Sequence, residues 1–174
     1  EMRSKAKAFS FQLTYGAGNA ALAMVLRCSD GEAAEYVEKW AERYPYAYAL
    51  RHQMFDQMNA TGLLPIKSGR TVYVHKNERS MPVASNYPIQ GAAADVMYRA
   101  VTRMSFKVYE LPFKSRMLAS IHDELLMLAE AGRGEELREI MVEEMRQAWL
   151  DIFPNAETAN LSESAVGQSW AAKP

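Results

Sequence analysis

Cysteine is nearly absent from the sequence. Cys28 stands alone, so no disulfide can close within the chain, and a reducing compartment is expected. No apolar run approaches the ~18 residues that a membrane-spanning helix needs, so no membrane partner is expected. The opening residues Glu1-Met2-Arg3-Ser4-Lys5 are charged and no apolar stretch follows, so no secretory signal is expected. The chain begins at Glu1, already inside a helical pattern, as expected of a fragment. Internal repeats and low-complexity tracts are missing. Net charge is scarce too. Twenty Lys and Arg against 21 Asp and Glu leave −1, so the basic excess common in nucleic-acid-binding domains is not there.

What is present suits a globular chain. Its 174 residues allow one good-sized domain or two small ones. At this length a core can bury roughly 70% of the unfolded surface. Charge is segregated locally. Arg3, Lys5 and Lys7 open the chain, while Glu135, Glu136, Glu139, Glu143 and Glu144 lie near its end. That pattern fits a basic working face and an acidic solvated back.

Periodicity predicts helices over 2–15, 19–27, about 32–43 (opened by Gly31) and about 46–60, the last stopped by Thr61-Gly62. The period then changes to two. Leu63–Ile66 and Thr71–Val74, joined by Lys67-Ser68-Gly69-Arg70, read as a hairpin. Residues 75–87 read as a loop, and a helix is expected from Ile89 to about Lys107 with Pro88 near its start. Met117–Ile121 and Leu125–Leu128 read as strands around the polar run His122-Asp123-Glu124. A charged amphipathic helix at about 133–152 and a short strand near Ala159–Val166 complete the order. The fold class is α+β rather than a doubly wound sheet, because helices and strands do not alternate.

Three constellations carry chemistry. Arg3, Lys7, Phe11 and Tyr15, followed by Gly16, are spaced by four and share one helix face. Two cations beyond which two aromatics continue suit a triphosphate and a stacked base. The same spacing also fits an amphipathic helix with snorkelling cations. The adjacent acids of Ser120-Ile121-His122-Asp123-Glu124-Leu125-Leu126 suit a divalent metal with oxygen ligands, or simply a polar turn. In Asn86-x3-Gln90-Gly91 the carboxamides suit minor-groove hydrogen bonds, although Asn86 also suits a helix cap. His52 and His75 have no partner at ligand spacing, and the positions that an HD-type metallohydrolase needs besides His122-Asp123 do not fall into place. The eleven methionines read as core filler.

Taken together, these segments resemble the family A (DNA polymerase I-like) DNA polymerases. Arg3-x3-Lys7-x3-Phe11-x3-Tyr15-Gly16 is similar to that family's motif B, and His122-Asp123-Glu124 to its motif C. Asn86-x3-Gln90-Gly91-x-Ala93-Ala94-Asp95 resembles its palm helix. Glu42-Arg43-Tyr44-Pro45, Gly69-Arg70 and Val166-Gly167-x2-Trp170 add further matches in the family's order. Two departures stand out. The motif A strand with the other catalytic aspartate is not in the sequence, and Pro82 occupies a position often held by arginine.

The resemblance implies an antiparallel palm sheet packed by helices and preceded by a helical part of the fingers. Residues 1–60 would be the C-terminal half of the fingers, with motif B at 2–15, and 61–174 a palm portion, with motif C at 120–126. The implied reaction is template-directed addition of dNTPs to a primer 3′ end, with two Mg²⁺ ions in the complete enzyme. Arg3 and Lys7 would bind the triphosphate, with Lys7 also donating a proton to the leaving group. Phe11 would line the sugar pocket and Tyr15 would stack near the templating position. Asp123 and Glu124 would serve the metal. Asn86, Gln90, His122 and Arg70 would contact the primer–template. The implied partners are DNA primer–template, dNTP and a missing N-terminal portion or second chain supplying motif A. The implied setting is the cytoplasm of a bacterial or phage-infected cell. The chain alone is expected to be inactive. The alternative is a non-catalytic DNA-binding or assembly subunit of a split polymerase.

Overall fold

The structure, a computed structural model, describes residues 2–172. Its elements run α1 (Met2–Thr14), α2 (Asn19–Leu26), α3 (Asp30–Arg43), α4 (Pro45–Thr61), β1 (Leu63–Pro65), β2 (Thr71–Tyr73), a 3₁₀ turn (Lys76–Glu78), α5 (Met81–Glu110), β3 (Ser115–Ile121), β4 (Glu124–Ala129) and α6 (Gly134–Ile152). Packing divides the chain into two compact units, one ending at Gln90 and one starting at Gly91. The mixture of helices with two small antiparallel sheets is the expected α+β class.

In the first unit, Phe9 and Leu13 of α1 bury against Leu22 and Ala23 of α2 and Ala33 of α3. α3 starts earlier than expected, because Ser29 caps it rather than Gly31 opening it. The Ser29 hydroxyl accepts the Glu32 N–H at 3.3 Å and the Glu32 carboxylate accepts the Ser29 N–H at 2.9 Å. The Ser29 N–H first, and then its hydroxyl, which donates to the same carboxylate at 2.8 Å, hold the Glu32 carboxyl below its ordinary pKa. α4 has Pro45 in its first turn and ends at Gly62, whose N–H bonds the Met58 carbonyl at 2.8 Å. β1 and β2 then pair as predicted, with Leu64 opposite Val72. Met58, Leu64, Val74 and Ala84 form the second buried cluster of this unit.

The expected loop over 75–87 is largely helix. α5 begins at Met81, so Pro88 lies inside it rather than at its start, and Asn86 is an interior residue and not a cap. Pro82 sits at the second helical position, where a missing N–H costs little. Pro88 forfeits a bond to the Ala84 carbonyl and costs about 3 kcal/mol. Burying Ala84 under Met58, Leu64 and Val74 ties down the first turns and holds the helix through the proline.

In the second unit, β3 and β4 are joined by a two-residue turn, His122-Asp123; Glu124 pairs with Ile121 and belongs to the strand rather than to the tip. A bulge at Leu118 shifts the register, since Met117 faces Met127 while Ala119 faces Leu126. Ala100 and Met104 of α5, Phe113, Leu125 of β4, and Leu137 and Ala148 of α6 make the core beneath this hairpin. Arg103 links α5 to α6 through Glu144 at 2.8 Å and Asp151 at 3.4 Å. Methionine fills much of these cores, with Met58 and Met104 fully buried, but Met24 departs from the expectation of core filler and is 82% exposed. The strand expected near 159–166 does not form. Asn160 takes a left-handed φ of 56° that interrupts an extended run, and neither two-stranded sheet pairs with the segment.

Candidate functional site

The first unit carries the motif B face. Because α1 turns its Phe9–Leu13 side into the core, Arg3, Lys7 and Phe11 stand exposed and Tyr15 is half-buried. The Phe11 and Tyr15 rings lie 4.5 Å apart, tilted by 56°. A shallow groove of about 340 Å³ runs along this face, lined by Lys7, Ser10, Phe11, Thr14, Tyr15 and, from α5, Ile89.

Two devices fix where this helix ends. Arg51 of α4 donates from Nη1 to the Leu13 carbonyl at 2.9 Å, satisfying an acceptor at the negative end of the helix dipole. Gly16 follows at φ 83°. A Cβ there would stand 2.7 Å from the Pro82 nitrogen and 2.8 Å from the Met81 carbonyl carbon, so only glycine lets the start of α5 come this close.

That close approach brings two of the predicted constellations together. Gln90 Nε2 of α5 donates to the Tyr15 hydroxyl at 2.9 Å, across 75 residues of sequence. Asn86, one turn before Gln90, is half-buried, and its Oδ1 is enclosed without a hydrogen-bond partner. Arg70 lies exposed at the β1–β2 turn, its carbonyl accepting the Ile66 N–H at 2.7 Å.

The second unit carries the motif C hairpin. His122 and Asp123 form its turn and are exposed. His122 has a φ of 54°, a left-handed conformation that a tight hairpin requires and that histidine adopts more readily than branched residues. Glu124 opens β4, and its Oε2 accepts the Trp170 indole N–H at 3.3 Å. Among the described residues, no group of three or more His, Cys, Asp or Glu side chains is placed to hold a metal ion by itself. Asp123 and Glu124 still fit Mg²⁺, which takes one or two carboxylates and completes its shell with water and substrate phosphates.

Ser10, Thr14 and Ile89 line the groove without having been singled out in the sequence, and Trp170 was noted without a role. Small hydroxyls on a helix and a lone Ile give no signal of their own. Burial, then the Glu32 and Asp30 carboxylates, push the Cys28 thiol above its ordinary pKa, which disfavours the thiolate. No helix of the described residues is long and apolar enough to cross a membrane.

Comparison with known proteins covers both units. Residues 1–172 match DNA polymerase family A. DNA polymerase I of Caldicellulosiruptor bescii is 34% identical over 156 residues, which are 85% of this chain and 18% of that protein. The thermostable DNA polymerase I of Thermus thermophilus is 29% identical over 177 residues, 97% of this chain and 20% of that protein. Among solved structures, the POL domain of Pol1 from M. smegmatis, in complex with DNA primer-template and dNTP, superposes with a TM-score of 0.77 at 30% identity. That match takes in 86% of this chain and 28% of the other. The chain thus spans about a fifth of the length of these relatives.

Proposed function

This chain belongs to DNA polymerase family A, and from that membership we propose that it supplies the nucleotide-gripping helix and one catalytic hairpin of a DNA-directed DNA polymerase. In this reading residues 1–60 are the C-terminal half of the fingers and 61–174 a portion of the palm. The observation that carries the proposal is the exposed face of α1. Phe11 stands there 59% exposed over the groove, on the same face as the cations Arg3 and Lys7 and away from the Phe9–Leu13 core side.

The roles follow from the chemistry of each side chain. Arg3 and Lys7 grip the triphosphate, Arg3 as a planar fork and Lys7 as a point charge that also gives a proton to the departing pyrophosphate. Phe11 offers an apolar edge to the incoming sugar. Tyr15 stacks near the templating base. Asn86 and Gln90 present carboxamides to the minor groove, where acceptors are shared by every base pair. His122 and Arg70 contact the primer–template. Asp123 holds Mg²⁺ and Glu124 supports the same site. When bound, the metal stabilises charge on the oxygens of the phosphoryl being transferred.

The test uses the complete polymerase carrying this chain. Asp123→Ala should remove turnover, by about 10³-fold or more, while duplex affinity stays within about twofold. Single-turnover extension and fluorescence anisotropy with labelled primer–template measure the two quantities. Retained turnover would overturn the metal role, and lost DNA binding would move Asp123 into the duplex interface.

A further inference from the structure

The C-terminal segment containing Val166-Gly167-x2-Trp170 has no role in the reading above, yet it is held in place at several points. Arg138 of α6 donates from Nη1 to the Ser164 hydroxyl at 3.3 Å. Val166 packs over the start of α6, where a Cβ on Gly134 would stand 2.6 Å from the Val166 Cγ1. The Ala172 N–H bonds the Ser169 carbonyl at 3.1 Å and closes a turn around Trp170. From that turn the indole N–H reaches Glu124 Oε2 at 3.3 Å, 46 residues away in sequence.

Burial does not explain the tryptophan, because half of its surface, 51%, stays exposed. The bond it makes falls on the carboxylate next to Asp123. An indole N–H only donates, so it orients a carboxylate without bringing a rival acceptor to the site. Glu124 lies at the end of a strand, where a long side chain would otherwise sample several rotamers.

We propose that Trp170 is a positioning residue: the C-terminal segment straps across to the β3–β4 hairpin, and its indole N–H holds the Glu124 carboxylate in one orientation beside Asp123. This rests on the reading of Glu124 as the supporting acid of the site. In this role Trp170 acts through the Glu124 carboxylate.

The experiment is a double-variant cycle in the complete polymerase. Trp170→Phe keeps a ring and removes the donor. It should lower kcat about 10-fold, the rate equivalent of one charge-assisted hydrogen bond, while the KM for dNTP and the affinity for duplex stay unchanged. In a Glu124→Ala background the same substitution should have no further effect. A readout independent of activity is the indole ¹⁵N–¹H resonance of Trp170, assigned by its loss in Trp170→Phe. It should move upfield in Glu124→Ala. Wild-type kcat in Trp170→Phe, an equal fractional loss with and without Glu124, or an unmoved indole resonance would each overturn the positioning role and leave the role of Glu124 standing. Full kcat in Glu124→Ala would overturn the reading of Glu124 itself, and the strap with it.

Discussion

Phe11 decides between two consequences of adding one oxygen atom. Were it packed in a helix interface, Phe11→Tyr would bury an unmet hydroxyl and cost about 1–3 kcal/mol. It is instead 59% exposed beside the groove, with its ring against Tyr15. The substitution should therefore change stability by less than about 0.5 kcal/mol. In the proposed sugar pocket, the new hydroxyl can take up the hydrogen bond that the 3′-OH of a normal nucleotide makes and a dideoxynucleotide lacks. Discrimination against dideoxynucleotides should then relax by roughly 10²-fold or more, with ordinary incorporation little changed. The ratio of kcat/KM for dNTP and ddNTP in both enzymes is the measurement. An unchanged ratio would remove Phe11 from the sugar pocket.

At the scale of elements, the end of α1 is set by α4. The Arg51 guanidinium is partly buried, and that burial lowers its pKa below the ordinary arginine range despite Tyr48 nearby. Its Nε is enclosed without a partner while Nη1 holds the Leu13 carbonyl. Arg51→Met keeps the aliphatic stem and removes the donor. Leu13 still accepts the Gly16 N–H at 3.0 Å, so its carbonyl is not orphaned. The loss belongs at the low end for a charged hydrogen bond, about 1.5 kcal/mol. Urea denaturation should show that loss. Hydrogen exchange should show faster opening of amides in the last turn of α1, ahead of global unfolding. Slower exchange there, or a gain in stability, would mean that the cost of burying Arg51 outweighs its bond.

For the molecule as a whole, phosphoryl transfer between two metal ions needs carboxylates around both. The described residues offer Asp123 and Glu124 at one hairpin and no group of three or more His, Cys, Asp or Glu side chains placed to hold a metal ion. This chain by itself should extend no primer with Mg²⁺ and dNTPs above a blank. Extension that disappears when Asp123→Ala is introduced into the same chain would sink that expectation, because a contaminating polymerase would not respond to the substitution.

The sequence by itself determined the local elements and the identity of the motifs. α1 to α4, α6 and both hairpins were legible because their signals are short-ranged: a spacing of four that aligns Lys7, Phe11 and Tyr15, the stop at Gly62, alternation in β1 and β2. The placing of Arg3, Lys7, Phe11 and Tyr15 on one face needed only helical geometry. Where two local signals compete, as Gly31 and the Ser29–Glu32 capping box do, the box sets the start of α3 because it meets two backbone N–H donors at once. What only the tertiary structure decided involves residues far apart in the chain. Burial of Ala84 against α4 and β1 carried α5 back to Met81, past a proline whose local cost favours a break, and so moved Asn86 from a cap to a helix interior. The failure of residues 159–166 to pair is likewise a property of the sheets on offer and not of the segment. Tyr15 meeting Gln90, and Trp170 meeting Glu124, left no trace in local pattern. Periodicity reports which way a side chain faces within its own element. Which partner it finds there is set by packing between elements, whose free energy exceeds the ~1 kcal/mol scale of local propensity.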